Sequence, residues 1–267
     1  MKFAHRHLIK ALILDMDGVI WRGSEPIGDL PAIFARMDQR GLKVTLATNN
    51  ATRSAQQYVN KLLSFGVHIE PHQVINSADI AALYLSRQYP QGGKVFVVGE
   101  EGLLTALAVY GFSPISDSFD SKDVIAVVAS MDRNLTYEKL RNAALLIRAG
   151  VPFVGTNPDH TFPTPDGLVP GAGAILAALE TATSIQPVIM GKPKPEMYQA
   201  ILSRFGLLPQ ETLVVGDRPE TDIAGGQVMG CFTALVLSGV TNESEARAWH
   251  PAPDLIAPDL YSLLDLL

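Results

Sequence analysis

Short apolar runs and segments of helical period alternate along most of the 267-residue chain. The first run, Ala11-Leu12-Ile13-Leu14, is continuous, the pattern of a strand covered on both faces. The spacing then predicts a helix over 29–40 ending at Gly41 in the C′ position, and a second strand over 44–47. Ala55, Tyr58, Val59, Leu62 and Leu63 recur at helical intervals with polar residues between them, an amphipathic helix that closes at Gly66. Further on, 95–98 and 124–128 read as buried strands. Leu140, Ala143, Ala144 and Ile147 mark a helix stopped by Gly150, and 151–154 forms another short strand. The stretch 155–173 carries prolines at 158, 163, 165 and 170 together with four glycines, so it reads as loop. A helix is expected over the Ala-rich 174–182, strands over 213–215 and 232–237, and a last helix near 258–267.

Strands alternating with helices argue for a parallel α/β sheet. The loops that carry chemistry fall in 1–77 and 187–267, while 78–186 has strands and helices of its own. The expected architecture is a Rossmann-like parallel-sheet core from 1–77 and 187–267, interrupted by an inserted α/β domain over 78–186.

Composition narrows the function. With 21 basic and 27 acidic residues the net charge is −6, so no bulk attraction draws the chain to nucleic acid or to an anionic membrane. An anionic substrate must be held by local charge. No apolar run approaches the ~20 residues of a membrane span, and no uninterrupted apolar segment follows the basic N-terminus. The single cysteine, Cys231, excludes an internal disulfide framework and reads as a small core residue. Together these point to the cytoplasm.

The candidate chemistry begins at Asp15-Met16-Asp17-Gly18, directly after the first strand. Two carboxylates one residue apart repel each other, and a hard divalent cation such as Mg²⁺ relieves that repulsion. A second acidic loop, Gly216-Asp217-Arg218-Pro219-Glu220-Thr221-Asp222, follows the apolar Leu213-Val214-Val215. Two more polar loops are Thr48-Asn49-Asn50 and Gly191-Lys192-Pro193. In open α/β sheets ligands bind beyond the carboxyl ends of the strands, where loops of this kind can converge. Carboxylates for a metal, hydroxyl and amide donors and a fixed lysine charge suit phosphoryl transfer. A carboxylate also offers a nucleophile. The motifs of serine-elbow acyl transfer, of the phosphate-binding loop and of dinucleotide binding are absent at the strand ends.

Asp15-x-Asp17-Gly18, Thr48, Lys192 and Gly216-Asp217-x-x-x-Thr221-Asp222 resemble, in order, the four motifs of the haloacid dehalogenase superfamily. An Asp at position 17 matches its phosphatase branch. Asp17-Gly18-Val19-Ile20-Trp21-Arg22-Gly23, Thr48-Asn49-Asn50, Gly155-Thr156-Asn157-Pro158-Asp159, Pro170-Gly171-Ala172-Gly173-Ala174 and Gly191-Lys192-Pro193 resemble the NagD-like, p-nitrophenyl-phosphatase-like group, and the likeness runs from about residue 10 to 240. It implies a Mg²⁺-dependent phosphatase of small phosphorylated metabolites working through an aspartyl-phosphate. Asp15 is then the nucleophile and Asp17 the general acid and base. The metal is held by Asp15, the Asp17 carbonyl and Asp217. Thr48 and the Asn49 backbone bind phosphate, and Lys192 neutralises it. Asp222 orients the site from behind, and Asn50 touches the substrate. The resemblance also implies a cap domain that selects substrates, and allows a homodimer through that cap. Asp159 and His160 in the proline-rich loop are the residues expected to reach the leaving group.

Blander roles compete at several positions. Thr48-Asn49-Asn50 can cap the following helix. Asp222 can be a charge at a helix start. Trp21 is expected to pack, and Arg22 to steer anions. Two other functions use similar parts: a phosphotransferase or phosphomutase, and a phospho-acceptor signalling domain.

Overall fold

The computed structural model describes residues 4–116, 123–164 and 166–267. Pro165 of the proline-rich stretch and the first three residues of the basic N-terminus lie outside the described residues. The chain divides into two compact units. One comprises the chain up to Thr48, Tyr58–Ile75 and Lys192–Leu267; the other comprises Asn49–Gln57 and Asn76–Gly191.

The first unit is built on a six-stranded sheet. Its spatial order is Leu255–Ala257, Phe232–Val236, Thr212–Gly216, Ala11–Leu14, Lys43–Thr48 and Val74–Asn76. Counted in chain order this is 6-5-4-1-2-3, the doubly wound arrangement, and the order reverses between Ala11–Leu14 and Thr212–Gly216. Those two strands pair in parallel, Ala11 opposite Thr212 and Leu14 opposite Val215. All four residues of Ala11–Leu14 are buried, as the unbroken apolar run requires of a central parallel strand. Three helices of this unit begin where a polar side chain accepts from a first-turn amide. Asp29 accepts from Ala32 N at 3.1 Å ahead of Leu30–Gln39, and Asp259 accepts from Ser262 N at 2.7 Å ahead of Leu260–Leu266.

The second unit holds a five-stranded parallel sheet ordered Val188–Ile189, Phe153–Gly155, Val124–Ala129, Gly93–Val98 and Phe112–Ile115. Phe96, Val98, Val127 and Phe153 meet Leu146 and Ile147 of helix Tyr137–Arg148 and Leu176 and Leu179 of helix Ala172–Thr183 in one apolar core. The architecture is thus α/β with a parallel core sheet and an inserted parallel α/β sheet.

Several elements differ from the pattern-based expectation. The stretch 155–173 is not plain loop: Thr161–Thr164 and Gly167–Pro170 form an antiparallel hairpin. Proline cannot donate to a ladder, yet a two-stranded ribbon consists only of edges, where it is tolerated. Phe112–Ile115 escapes a hydrophobicity reading because Pro114 sits within it, and it too is an edge strand. The strand expected at 151–154 spans Phe153–Gly155, and the helix expected from 174 begins at Ala172. Helices Ser77–Gln88, Glu101–Val109 and Pro195–Phe205 add to those expected.

Candidate active site

The carboxyl ends of the two strands at the reversal point each release an aspartate into a loop. Asp15 follows Leu14, and Asp217 follows Gly216. Lys192 enters the same place from the segment before helix Pro195–Phe205 and is only 3 % exposed. Its ammonium donates to Asp15 Oδ1 at 2.5 Å, to Asp222 Oδ1 at 2.7 Å and to the Ala47 carbonyl at 3.0 Å. A primary ammonium has three protons, and these three acceptors match them. Asp15, Asp217 and Asp222 each bring one carboxylate oxygen to within 4.8 Å of the others, the grouping suited to a metal ion found among the described residues. Three carboxylates against one lysine leave an excess of two negative charges when all are ionised. A hard divalent cation with oxygen ligands fits that donor set and that charge.

The electrostatics express the same crowding. Burial raises the Asp15 carboxyl well above the usual range; Lys192 opposes this, while Asp222 and Asp217 add to it. Asp217 is raised to about 6, first by burial and then by the Asp222 charge, against the amide of Val240. Burial alone would lower the Lys192 ammonium, but Asp15 and Asp222 together hold it well above its ordinary value. Tyr198, whose hydroxyl donates to the Asp222 carbonyl at 3.3 Å, is raised well by burial.

Asp217 is fixed by a segment that carries no motif. Val240 N donates to its Oδ2 at 2.9 Å and the Thr241 hydroxyl to its carbonyl at 2.5 Å. Gly239 lies so close that a Cβ there would overlap the Asp217 carboxylate. Gly18, at φ +86°, sits against the same carboxylate, so both the turn and the close approach demand glycine. Asp222 lies in a π-helical turn, Pro219–Ile223, with Oδ2 accepting from Arg218 N at 3.2 Å. It falls in the first turn of that segment, and it is buried and joined to Lys192.

Thr48 is buried at the end of Lys43–Thr48. Asn49 and Asn50 belong to the second unit. There the Asn49 carbonyl accepts from Ser77 Oγ at 2.5 Å and Asn157 Nδ2 at 2.7 Å, and its side chain donates to Asp159 at 3.2 Å. Asn50 Oδ1 closes a local turn onto Thr52 N and Oγ1. At the start of helix Ala55–Ser64, Ser54 N donates to Gln57 Oε1 at 2.9 Å and Gln57 N to Ser54 Oγ at 3.3 Å. His160 is exposed. Asp17 is held by a residue expected only to pack: Trp21 Nε1 donates to Asp17 Oδ1 at 2.8 Å. Arg22 donates through Nε to the Ser238 carbonyl at 2.6 Å. A four-residue separation on a turn is the signal that would have tied Trp21 to Asp17. Nothing in the sequence ties Ser238–Thr241 to Asp217. Cys231 is buried before Phe232–Val236, and burial pushes its thiol up to about 12.

A haloacid dehalogenase-like hydrolase model matches residues 12–113, and a related HAD-hydrolase-like model matches 189–263. A 5′-nucleotidase, YutF, from Bacillus subtilis is 34 % identical over 249 residues, covering 93 % of each chain. The structure of a p-nitrophenyl phosphatase from Archaeoglobus fulgidus superposes with a TM-score of 0.90 at 31 % identity, over 97 % of this chain and 99 % of that one. A glycerol phosphate phosphatase from Mycobacterium tuberculosis, solved in complex with magnesium, gives 0.88 at 34 % identity, over 98 % and 78 %. An α/β core with an inserted α/β unit and an acidic cluster at the reversal of strand order defines a haloacid dehalogenase-like hydrolase of the phosphatase type. The chain belongs to that family, in the group of NagD and the p-nitrophenyl phosphatases, whose second domain is an inserted α/β cap. Among the described residues no helix is long and apolar enough to cross a membrane.

Proposed function

We propose that this protein hydrolyses small phosphorylated metabolites in the cytoplasm by way of an aspartyl-phosphate on Asp15, with Mg²⁺ as its metal. The observation that carries the reading is the buried ammonium of Lys192 bonded at once to Asp15 and Asp222, with Asp217 beside them. In the proposed first step Asp15 attacks phosphorus and the bond to the leaving oxygen breaks. Asp17 gives that oxygen a proton. In the second step Asp17 takes a proton from water as the water oxygen attacks the phosphorus of the acyl phosphate, which restores Asp15. Lys192 and the Thr48 hydroxyl stabilise the charge on the transferring oxygens in a site already oriented for it. Asp15, Asp217 and the Asp17 carbonyl would hold the metal, with Asp222 orienting Lys192 behind them. Bound there, Mg²⁺ neutralises the carboxylates and the phosphate that must approach them. The inserted cap, over about 78–186, is assigned the choice of substrate.

The relatives support the class of substrate rather than one compound, since they are named for a 5′-nucleotide, glycerol phosphate and p-nitrophenyl phosphate. The test is phosphate release from a panel of such monoesters with Mg²⁺ or a chelator, beside acid-quench trapping of the phosphoenzyme. Wild-type protein should turn over only with the metal, and Asp15→Asn should lose both turnover and the trapped phosphoryl group. Retention of more than about a tenth of the activity by Asp15→Asn, less than ~1.4 kcal/mol of barrier, is incompatible with a nucleophilic Asp15. Turnover that requires a sugar hydroxyl acceptor would instead mark a phosphotransferase.

A further inference from the structure

We propose that Trp21 is the positioning residue of Asp17: its indole N–H holds one carboxylate oxygen so that the proton travels on the other. The inference rests on the acid–base reading of Asp17 given above. Trp21 is 1 % exposed, and its Nε1 lies 2.8 Å from Asp17 Oδ1. The backbone is tied to the same turn, because Gly18 N donates to the Trp21 carbonyl at 2.8 Å and Ile20 N to the Met16 carbonyl at 2.8 Å. The ring is clamped as well. It stacks on Tyr58 with centroids 6.2 Å apart and planes 10° from parallel. Lys61 Nζ stands 3.8 Å from the ring centroid and donates to the Gly23 carbonyl at 2.8 Å. The direction of the N–H is therefore fixed by packing on the ring and by the turn below it.

An indole N–H is a donor only. A proton placed on Oδ1 toward Trp21 would oppose the indole hydrogen, so Oδ1 is committed to accepting. Oδ2 is left to give its proton to the leaving oxygen as the P–O bond breaks, and to take one from water in the second step. A carboxylate free to rotate would present either oxygen, and only part of its population would be aligned for transfer. The Lys61 charge over the ring face draws electron density from the indole and makes the N–H a stronger donor.

Trp21→Phe keeps an aromatic ring in the stack and removes the N–H. A hydrogen bond to a charged group is worth enough that kcat/KM for an alkyl phosphate, whose leaving oxygen needs the proton, should fall roughly ten- to hundredfold. For p-nitrophenyl phosphate, whose leaving group needs no proton, kcat/KM should stay within about threefold. The acid-trapped phosphoenzyme should then accumulate, because hydrolysis of the intermediate still needs the base. Equal losses for the two substrates, or no loss for either, overturns the proposal. Asp17→Asn run alongside separates the two levels. If it too fails to discriminate between leaving groups, the acid–base reading is wrong. If it discriminates and Trp21→Phe does not, only the role of Trp21 is wrong. Should Trp21→Phe not fold, a Trp249→Phe background leaves Trp21 as the one tryptophan of the two in the chain. Its indole proton resonance should lie downfield and move upfield in Asp17→Ala. A resonance that does not move overturns the proposal.

Discussion

Replacing Lys192 by Met tests the charge balance of the site. The substitution keeps an unbranched apolar stem but removes the cation that Asp15 and Asp222 share, and leaves the Ala47 carbonyl without that donor. Lys192 and Asp222 are 3 % and 2 % exposed at the side chain, so water cannot replace the lost partner. Breaking a buried pair by removing one member costs about 3–5 kcal/mol, chiefly because a charge is left uncompensated. At roughly 2–4 °C per kcal/mol for chains of about this size, the unfolding midpoint should drop by about 6–20 °C at pH 7 in chelator. Differential scanning calorimetry reads that shift. At pH 5 the loss should be smaller, because Asp15 and Asp217 already hold protons more readily than ordinary carboxyls. Adding Asp222→Asn to Lys192→Met should recover part of the loss, since it removes one of the stranded charges. A midpoint within about 2 °C of wild type, or a double variant whose losses simply add, would refute the reasoning.

The raised Asp217 carboxyl gives a second prediction. Its ordinary value is 3.8 and its folded value about 6, so between these the folded state binds the extra proton and stability falls as pH rises. The group contributes fully below pH 3.8, and by pH 7 without metal the loss is on the order of 3 kcal/mol. Urea unfolding of wild type against Asp217→Asn across that window should show it, and Mg²⁺ should reverse the trend; parallel curves for the two proteins would count against it. Gly239→Ala should weaken Mg²⁺ activation about tenfold or more, since its Cβ would occupy the place of the Asp217 carboxylate. An unchanged Mg²⁺ activation constant would show that Asp217 does not hold the metal.

How far the sequence alone reached can be followed residue by residue. Asp15, Asp217 and Lys192 were readable because each sits in a short polar loop beside an apolar run or between Gly and Pro, and such contrast survives without coordinates. The α/β class followed from the same contrast repeated along the chain. The central strand Ala11–Leu14 was legible because burial on both faces demands an unbroken apolar run. Strands Phe112–Ile115 and Thr161–Thr164 were not, since edge positions tolerate the prolines that otherwise signal loop.

Other features exist only once the chain is folded. The 6-5-4-1-2-3 order that sets Asp15 beside Asp217 is a matter of which strands pair across 200 residues, and local pattern carries no record of it. The grip of Val240 and Thr241 on Asp217 is likewise long-range, made by backbone and hydroxyl groups that look ordinary in a sequence. Trp21 shows the division most plainly. Its size and apolarity predicted burial correctly, but a direction for its single N–H had to come from the turn at Gly18 and the stack with Tyr58. Composition and pattern decide which groups leave water. Tertiary packing decides where the polar atoms of those groups point, because hydrogen bonds are directional and the hydrophobic effect is not.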